Sequence, residues 1–203
     1  EIFRAIIEER YRKKGNLKYT LVYVPEGNHP DDYDADRFID SDSINDDYET
    51  DKIINTYTEI VRNTSSTTTV KKFTSNTVGR NAVLEDFASG RLEVLISMKC
   101  LDEGVDIARS ELAIFCASTG NPRQFIQRRG RILRNHPDKH KAEIHDLVVA
   151  PVINNAEESF SMEKNLLRNE LKRVRDFASM SENADFAYNE LNEVLSYYGL
   201  SLF

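Results

Sequence analysis

Two cysteines in 203 residues, Cys100 and Cys116, are too few for a disulfide scaffold, and no metal-ligand spacing surrounds them. Both sit among apolar residues, which fits a reducing, cytoplasmic setting. No apolar run approaches the roughly 18 to 20 residues needed to cross a bilayer. The amino end lacks the basic, apolar, small-residue order of a secretory signal. Neither a membrane partner nor an extracellular home is expected. The chain begins at Glu1 without Met and reads as part of a longer polypeptide. It also lacks a GxxxxGK[ST] phosphate loop, an HExxH metal helix, a carboxylate pair after an apolar strand and any nucleophile motif. Alone, the chain shows no visible hydrolytic centre.

What remains is a globular composition, 40% hydrophobic and 30% charged, with a net charge of −7. That average conceals two opposite regions. Residues 26 to 51 carry eleven acids against Arg37, a local charge of −10, which leaves +3 for the rest of the chain. Its Pro, Gly, Asn and Asp content predicts a long solvated loop. Residues 123 to 141 hold seven basic side chains against Asp138, a patch suited to an anionic partner.

Hydrophobic patterning alternates strands with helices. Ile2, Phe3, Ile6 and Ile7 mark a helix over 1–14 that Gly15 should stop, and "KYTLVYV" (18–24) reads as a buried strand. A helix over 51–63, the strand "VKKF", a helix over 79–89 and the strands "LEVLIS", "LAIFCA" and "IHDLVV" follow. Between the last two, Asn121 and Pro122 suit the start of a helix. This order predicts a mostly parallel sheet covered on both faces, with functional loops at the strands' carboxyl ends. After Pro151, one stripe of Phe160, Leu167, Leu171, Val174 and Ala178 and another of Ala184, Ala187, Tyr188, Leu191, Val194 and Tyr198 predict a helical hairpin. The division expected is a domain over 1–150 and a helical extension over 151–203. A basic face of Lys164, Arg168, Lys172, Arg173 and Arg175 is the alternative to plain packing there.

Two constellations could carry chemistry. In "QRRGRILR" (127–134), helical spacing puts Gln127, Arg131 and Arg134 on one face with Arg128 beside them, while Gly130 admits close approach of a backbone or phosphate. Guanidinium groups so arranged match phosphate or carboxylate oxygens. In "SMKCLDEGVDI" (97–107), Ser97 ends a strand, Gly104 frees the backbone and Asp106 returns a carboxylate that can bind a sugar hydroxyl. The alternative for each is a solvated basic helix and a plain strand-to-helix turn.

Together these stretches resemble the C-terminal RecA-like lobe of superfamily 2 helicases and translocases. "VLISMKCLDEGVDIA" is similar to motif V, "QFIQRRGRILR" to motif VI and "TLVYVPE" to motif IV. The spacing from Ser97 to Gly104 looks closer to excision-repair helicases and restriction-enzyme motor subunits than to DEAD-box proteins, which favours DNA over RNA. The resemblance implies an α/β RecA-like sheet and an ATP-dependent parent enzyme. ATP and Mg2+ would be held mainly by an N-terminal lobe of the same parent chain, so this chain is not expected to hydrolyse ATP by itself. Arg131 and Arg134 would act as arginine fingers, with Gln127, Arg128, Gly104 and Asp106 at the ATP site. Ser97, Thr74 and Ser75 would contact nucleic acid. A non-catalytic nucleic-acid-binding or scaffold module with the same fold is the competing expectation.

Overall fold

A computed structural model describes residues 1–25, 43–98, 107–116, 122–153 and 159–202. The chain forms two compact units, Glu1–Asp146 and Leu147–Phe203. The first contains α1 (Ile2–Lys14), β1 (Thr20–Tyr23), α2 (Ser43–Thr64), β2 (Val70–Phe73), α3 (Arg80–Ala88), β3 (Val94–Ser97), β4 (Leu112–Phe115), α4 (Pro122–Ile132) and β5 (Glu143–Asp146). The second contains α5 (Phe160–Ala178) and α6 (Ala184–Tyr198).

The five strands form one parallel sheet in the order β2-β3-β1-β4-β5. Every residue of β1, β3 and β4 is buried, because a parallel sheet covered on both faces leaves no polar side to its inner strands. The edge strands β2 and β5 are only partly buried. Lys71 and Lys72 mark β2 as an edge, and Lys72 donates to the Asn55 Oδ1 at 2.8 Å.

Phe73, Ser97, Tyr23, Phe115 and Asp146 stand in register across the carboxyl ends of the strands. The period-two pleat therefore turns this row toward one face. The Arg80 guanidinium lies 4.4 Å from the Phe73 ring centroid and that of Arg128 lies 5.1 Å from Tyr23, which places α3 and α4 on that face. Cys116 follows the row by one residue and meets Tyr57 of α2, so α2 covers the opposite face. Phe3 packs edge-on against Tyr57 at 4.8 Å and brings α1 to the same side. The chain steps one way from β1 to β2 and the other way from β2 to β3. Right-handed crossovers then require α2 and α3 on opposite faces, as found.

Gly15 ends α1 as expected: it adopts φ 70°, and its N–H donates to the Tyr11 carbonyl at 2.8 Å. The expected loop over 26 to 51 is corrected at its far end, because α2 already begins at Ser43. Acidic residues suit the amino end of a helix, where the macrodipole is positive, so a charge run that reads as solvated loop is compatible with a first helical turn. Residues 26 to 42 lie outside the described residues.

In the second unit, Leu167, Leu171, Val174, Ala178, Leu195, Tyr198 and Leu202 form the core, with Phe160, Ala187, Leu191 and Val194 packed against it. Leu195 replaces Tyr188 among the expected core positions, since Tyr188 is 40% exposed. The basic face offered as the alternative to packing is only partly exposed. Arg173 is buried and paired with Glu170 at 2.8 Å, and Lys164 turns toward the Phe160 ring.

Candidate functional site

The carboxyl rim of the sheet is built from residues that the sequence grouped only by spacing. On α4, Arg128 and Ile132 are one turn apart and both buried, at 4% and 0% exposure. Arg128 lies over Tyr23, whose ring stacks on Phe115 with centroids 4.8 Å apart and planes 7° from parallel. A guanidinium is weakly hydrated and planar, so it can be buried against an aromatic face where a lysine ammonium could not. This strip fastens the helix to the sheet.

The adjacent strip is more exposed. Gln127 and Gly130 are exposed and Arg131 is half-buried. A Cβ added at Gly130 would meet nothing within 4 Å, so no neighbour within the described chain demands glycine there. Gln127 and Arg131 share a face as their spacing requires. Arg134 does not belong to the helix, which ends at Ile132. It is exposed and follows a tightened last turn, in which the Leu133 N–H donates to Arg129 at 3.0 Å and the Arg134 N–H to Arg131 at 3.3 Å. Arg134 is thus linked to Arg131 by a backbone bond past the helix end and not by the helical period.

Sequence reasoning missed the group that holds this end in place. The Lys139 ammonium donates to the Ile132 carbonyl at 2.7 Å and to the Ala108 carbonyl at 2.5 Å. The first is a terminal carbonyl of α4, where a cation is favoured by the helix dipole. The second lies just after Asp106, so one side chain ties the arginine helix to the segment leaving the other constellation. Lys139 is aimed by a small turn in which its N–H donates to the His136 carbonyl at 3.0 Å and the Asp138 N–H to His136 Nδ1 at 3.2 Å. The signal in the sequence was a lysine seven residues past a helix end, which has no spacing rule of its own.

On the neighbouring strand ends, Ser97 is fully buried and its hydroxyl donates to the Met98 carbonyl at 3.1 Å. Thr74 is half-buried in a closed turn. Its N–H donates to the Thr77 hydroxyl at 2.8 Å, and its carbonyl accepts from the Thr77 N–H at 3.1 Å and from Arg80 at 3.2 Å. Ser75 is exposed at the tip of that turn. The pairing of Phe73 with Ser97 puts these residues on adjacent strand ends. Gly104, Asp106 and Asn121 lie outside the described residues.

A charged cluster at the opposite, amino-terminal end of the strands supports the same elements. Glu111 accepts from Arg10 at 3.0 Å and from Arg109 at 2.7 Å, and the Arg109 guanidinium lies 3.8 Å from the Tyr19 centroid. Partial burial raises the Glu111 pKa, but the bonds from Arg109 and then Arg10 outweigh it and hold the carboxyl below its usual range. Among the described residues, no group of three or more His, Cys, Asp or Glu side chains could hold a metal ion. No helix among them is long and apolar enough to cross a membrane.

A parallel five-stranded sheet with helices on both faces and cationic side chains at its carboxyl rim is the architecture of a RecA-like lobe. The comparison with known proteins narrows that class. Residues 47–136, a little under half of the chain, match the helicase conserved C-terminal domain. That part of the chain is thus similar to a helicase C-terminal domain. It is 44% identical over 55 residues to the DNA 3'-5' translocase XPB2 of Sulfurisphaera tokodaii, an alignment spanning 27% of this chain and 12% of that relative. The fold is similar to domain 2 of the Mss116p DEAD-box helicase bound to an RNA duplex. That match has a TM-score of 0.50 and 12% identity, over 98% of this chain and 75% of that one. It is also similar to Saccharomyces cerevisiae Dbp5 bound to RNA and ADP BeF3, with a TM-score of 0.52 and 18% identity over 95% and 42% of the two chains.

Proposed function

We propose that this chain is the C-terminal motor lobe of an ATP-dependent DNA helicase or translocase. Its role is to supply cationic side chains to ATP carried on an N-terminal lobe of the same parent protein. The observation that supports this most directly is the division of α4. Arg128 and Ile132 are fastened to the sheet, while Gln127 and Gly130 are exposed, Arg131 is half-buried and Arg134 is exposed just past the helix end. A helix anchored on one strip and cationic on the other holds its arginines in place before a ligand arrives. That is the condition under which charge developing in phosphoryl transfer is stabilised without reorganisation.

In this reading Arg131 and Arg134 bind the γ-phosphate from across the cleft, and Gln127 orients the same surface. Arg128 positions the helix without touching nucleotide. Gly104 and Asp106 belong beside the ribose. Mg2+, held by the other lobe, neutralises phosphate charge when bound. The exposed Ser75 and the half-buried Thr74 offer hydroxyl donors to a nucleic-acid phosphate, with the buried Ser97 behind them. DNA is favoured over RNA because the relative that is 44% identical over 55 residues is named a DNA translocase.

The experiment is nucleic-acid-stimulated ATP hydrolysis by the two-lobed parent carrying Arg131→Ala or Arg134→Ala. A loss of roughly 10³-fold or more in kcat with unchanged circular dichroism is expected for an arginine finger. Wild-type turnover in both variants would remove the assignment.

A further inference from the structure

The helical extension holds a stripe of cations that the motor reading does not use. Arg168, Lys172 and Arg175 follow one another at four and three residues along α5, so they share one face of the helix. All three are exposed. Arg168 donates to the Asn165 side chain at 3.2 Å and Lys172 to that of Asn169 at 3.3 Å. These partners are neutral amides, which steer a cation without cancelling its charge. Among the described residues, no carboxylate lies within ion-pair distance of the three. The other two basic residues of α5 are committed elsewhere. Arg173 is buried against Glu170, and Lys164 sits over Phe160 near Gly199 at the end of α6.

Charge is also sorted between the two helices. α5 carries five basic residues and three acids, whereas α6 carries Asp185, Glu190 and Glu193 with no basic residue. A hairpin whose charges served only solubility or mutual pairing would set these groups against each other. Instead the cations stand beside amides.

We infer that Arg168, Lys172 and Arg175 form a binding strip for the phosphate backbone of nucleic acid. Seven residues of helix span about 10 Å, the axial rise of about three nucleotides of one strand. Asn165 and Asn169 add donors that phosphate oxygens accept. No aromatic side chain belongs to the strip, so it reads backbone charge and not base identity. The strip rests on the preceding section only for the class of partner, and it works without ATP.

The test uses this 203-residue chain and a fluorescein-labelled 20-nucleotide single-stranded DNA, followed by anisotropy between 50 and 200 mM salt. Three phosphate contacts contribute a slope of about −2 in log K against log salt on a single strand, a roughly 16-fold weakening over that range. The triple variant Arg168→Gln, Lys172→Gln, Arg175→Gln should bind at least about tenfold more weakly at 50 mM and lose about 2 from the slope. Arg168→Lys with Arg175→Lys should keep both. A 20-nucleotide RNA of the same sequence should give the same slope change. Glutamine is a good helix former, so circular dichroism should not change. Should the triple variant unfold, Lys172→Gln alone must lower the slope by about 0.7. An intact chain that does not bind, a variant with unchanged slope, or affinity that follows base sequence overturns the strip. Failure of the motor reading shows separately, as ATP turnover unaffected by Arg131→Ala with the slope change intact.

Discussion

Replacing Lys139 with methionine isolates the bonds that tie α4 to the segment after Asp106. Methionine keeps most of the side chain's length and removes the ammonium. Two charge-assisted hydrogen bonds are lost, at 2.7 Å to Ile132 and 2.5 Å to Ala108. Hydrogen bonds to a charged group contribute about 1.5 to 3 kcal/mol each. Lys139 is half-buried, so water replaces part of what the ammonium supplied, and the net cost is set at about 2 kcal/mol. For a chain of this size that lowers Tm by about 4 to 8 °C. The loss should be local before it is global. The amides of Leu133 and Arg134, bonded to Arg129 and Arg131, should exchange with solvent faster, while those of the inner strands change no more than global stability requires. Thermal melting by circular dichroism and hydrogen exchange read by mass spectrometry measure the two effects. A Tm within about 1 °C of wild type together with unchanged exchange at 131–134 would refute the reasoning, because it would mean that the Lys139 bonds carry no net free energy.

Two other perturbations test the scaffold. Glu111 is held below its usual carboxylate range in the folded chain, so its stabilisation is present above the unfolded value and is lost as pH falls through the folded one. Denaturant titrations between pH 5 and 3 should show a steeper loss for wild type than for Glu111→Gln, and equal slopes would mean that Arg109 and Arg10 give the carboxylate no net support. Burial pushes the Cys116 thiol up to about 12, and its side chain meets Tyr57. In a Cys100→Ser background, a disulfide reagent at pH 8 should therefore react with Cys116 far more slowly than with an ordinary exposed thiol, and labelling at the exposed-thiol rate would contradict the packing of α2 on β4.

The sheet was legible in the sequence because its inner strands are continuous apolar runs. "TLVY", "VLIS" and "LAIF" bury every residue, and a run of that length between helical periods has few other uses. The start of α2 was not legible. Eleven acids in a row of turn-forming residues signal solvent, and nothing in a charge count distinguishes a solvated loop from a solvated helical turn. Spacing on α4 identified Gln127 and Arg131 as neighbours but could not say which strip faced the sheet. Arg128 was grouped with the ligand side because arginine is ordinarily exposed, and the Tyr23 ring that buries it lies more than a hundred residues away. Lys139 escaped for the same reason, since its partners are backbone carbonyls and any sequence provides those.

The four arginines of "QRRGRILR" therefore do not form one patch. At helical periodicity a run this dense must point in several directions, and the fold uses that. Arg128 turns inward to anchor the helix, Arg131 comes to lie along the outward edge, and Arg134 falls past the last turn. An arginine finger needs a rigid base as much as a free guanidinium, because a helix that rocks spreads its charge over many positions. Arg128 over Tyr23 fixes the roll of α4, Ile132 fills the contact below it, and Lys139 fixes its carboxyl end. Two of those restraints share one strip of an eleven-residue helix and the third holds its carboxyl end. It follows that Arg128→Lys, which keeps the charge but loses the planar group over Tyr23, should damage the surface of Arg131 more than its formal conservatism suggests.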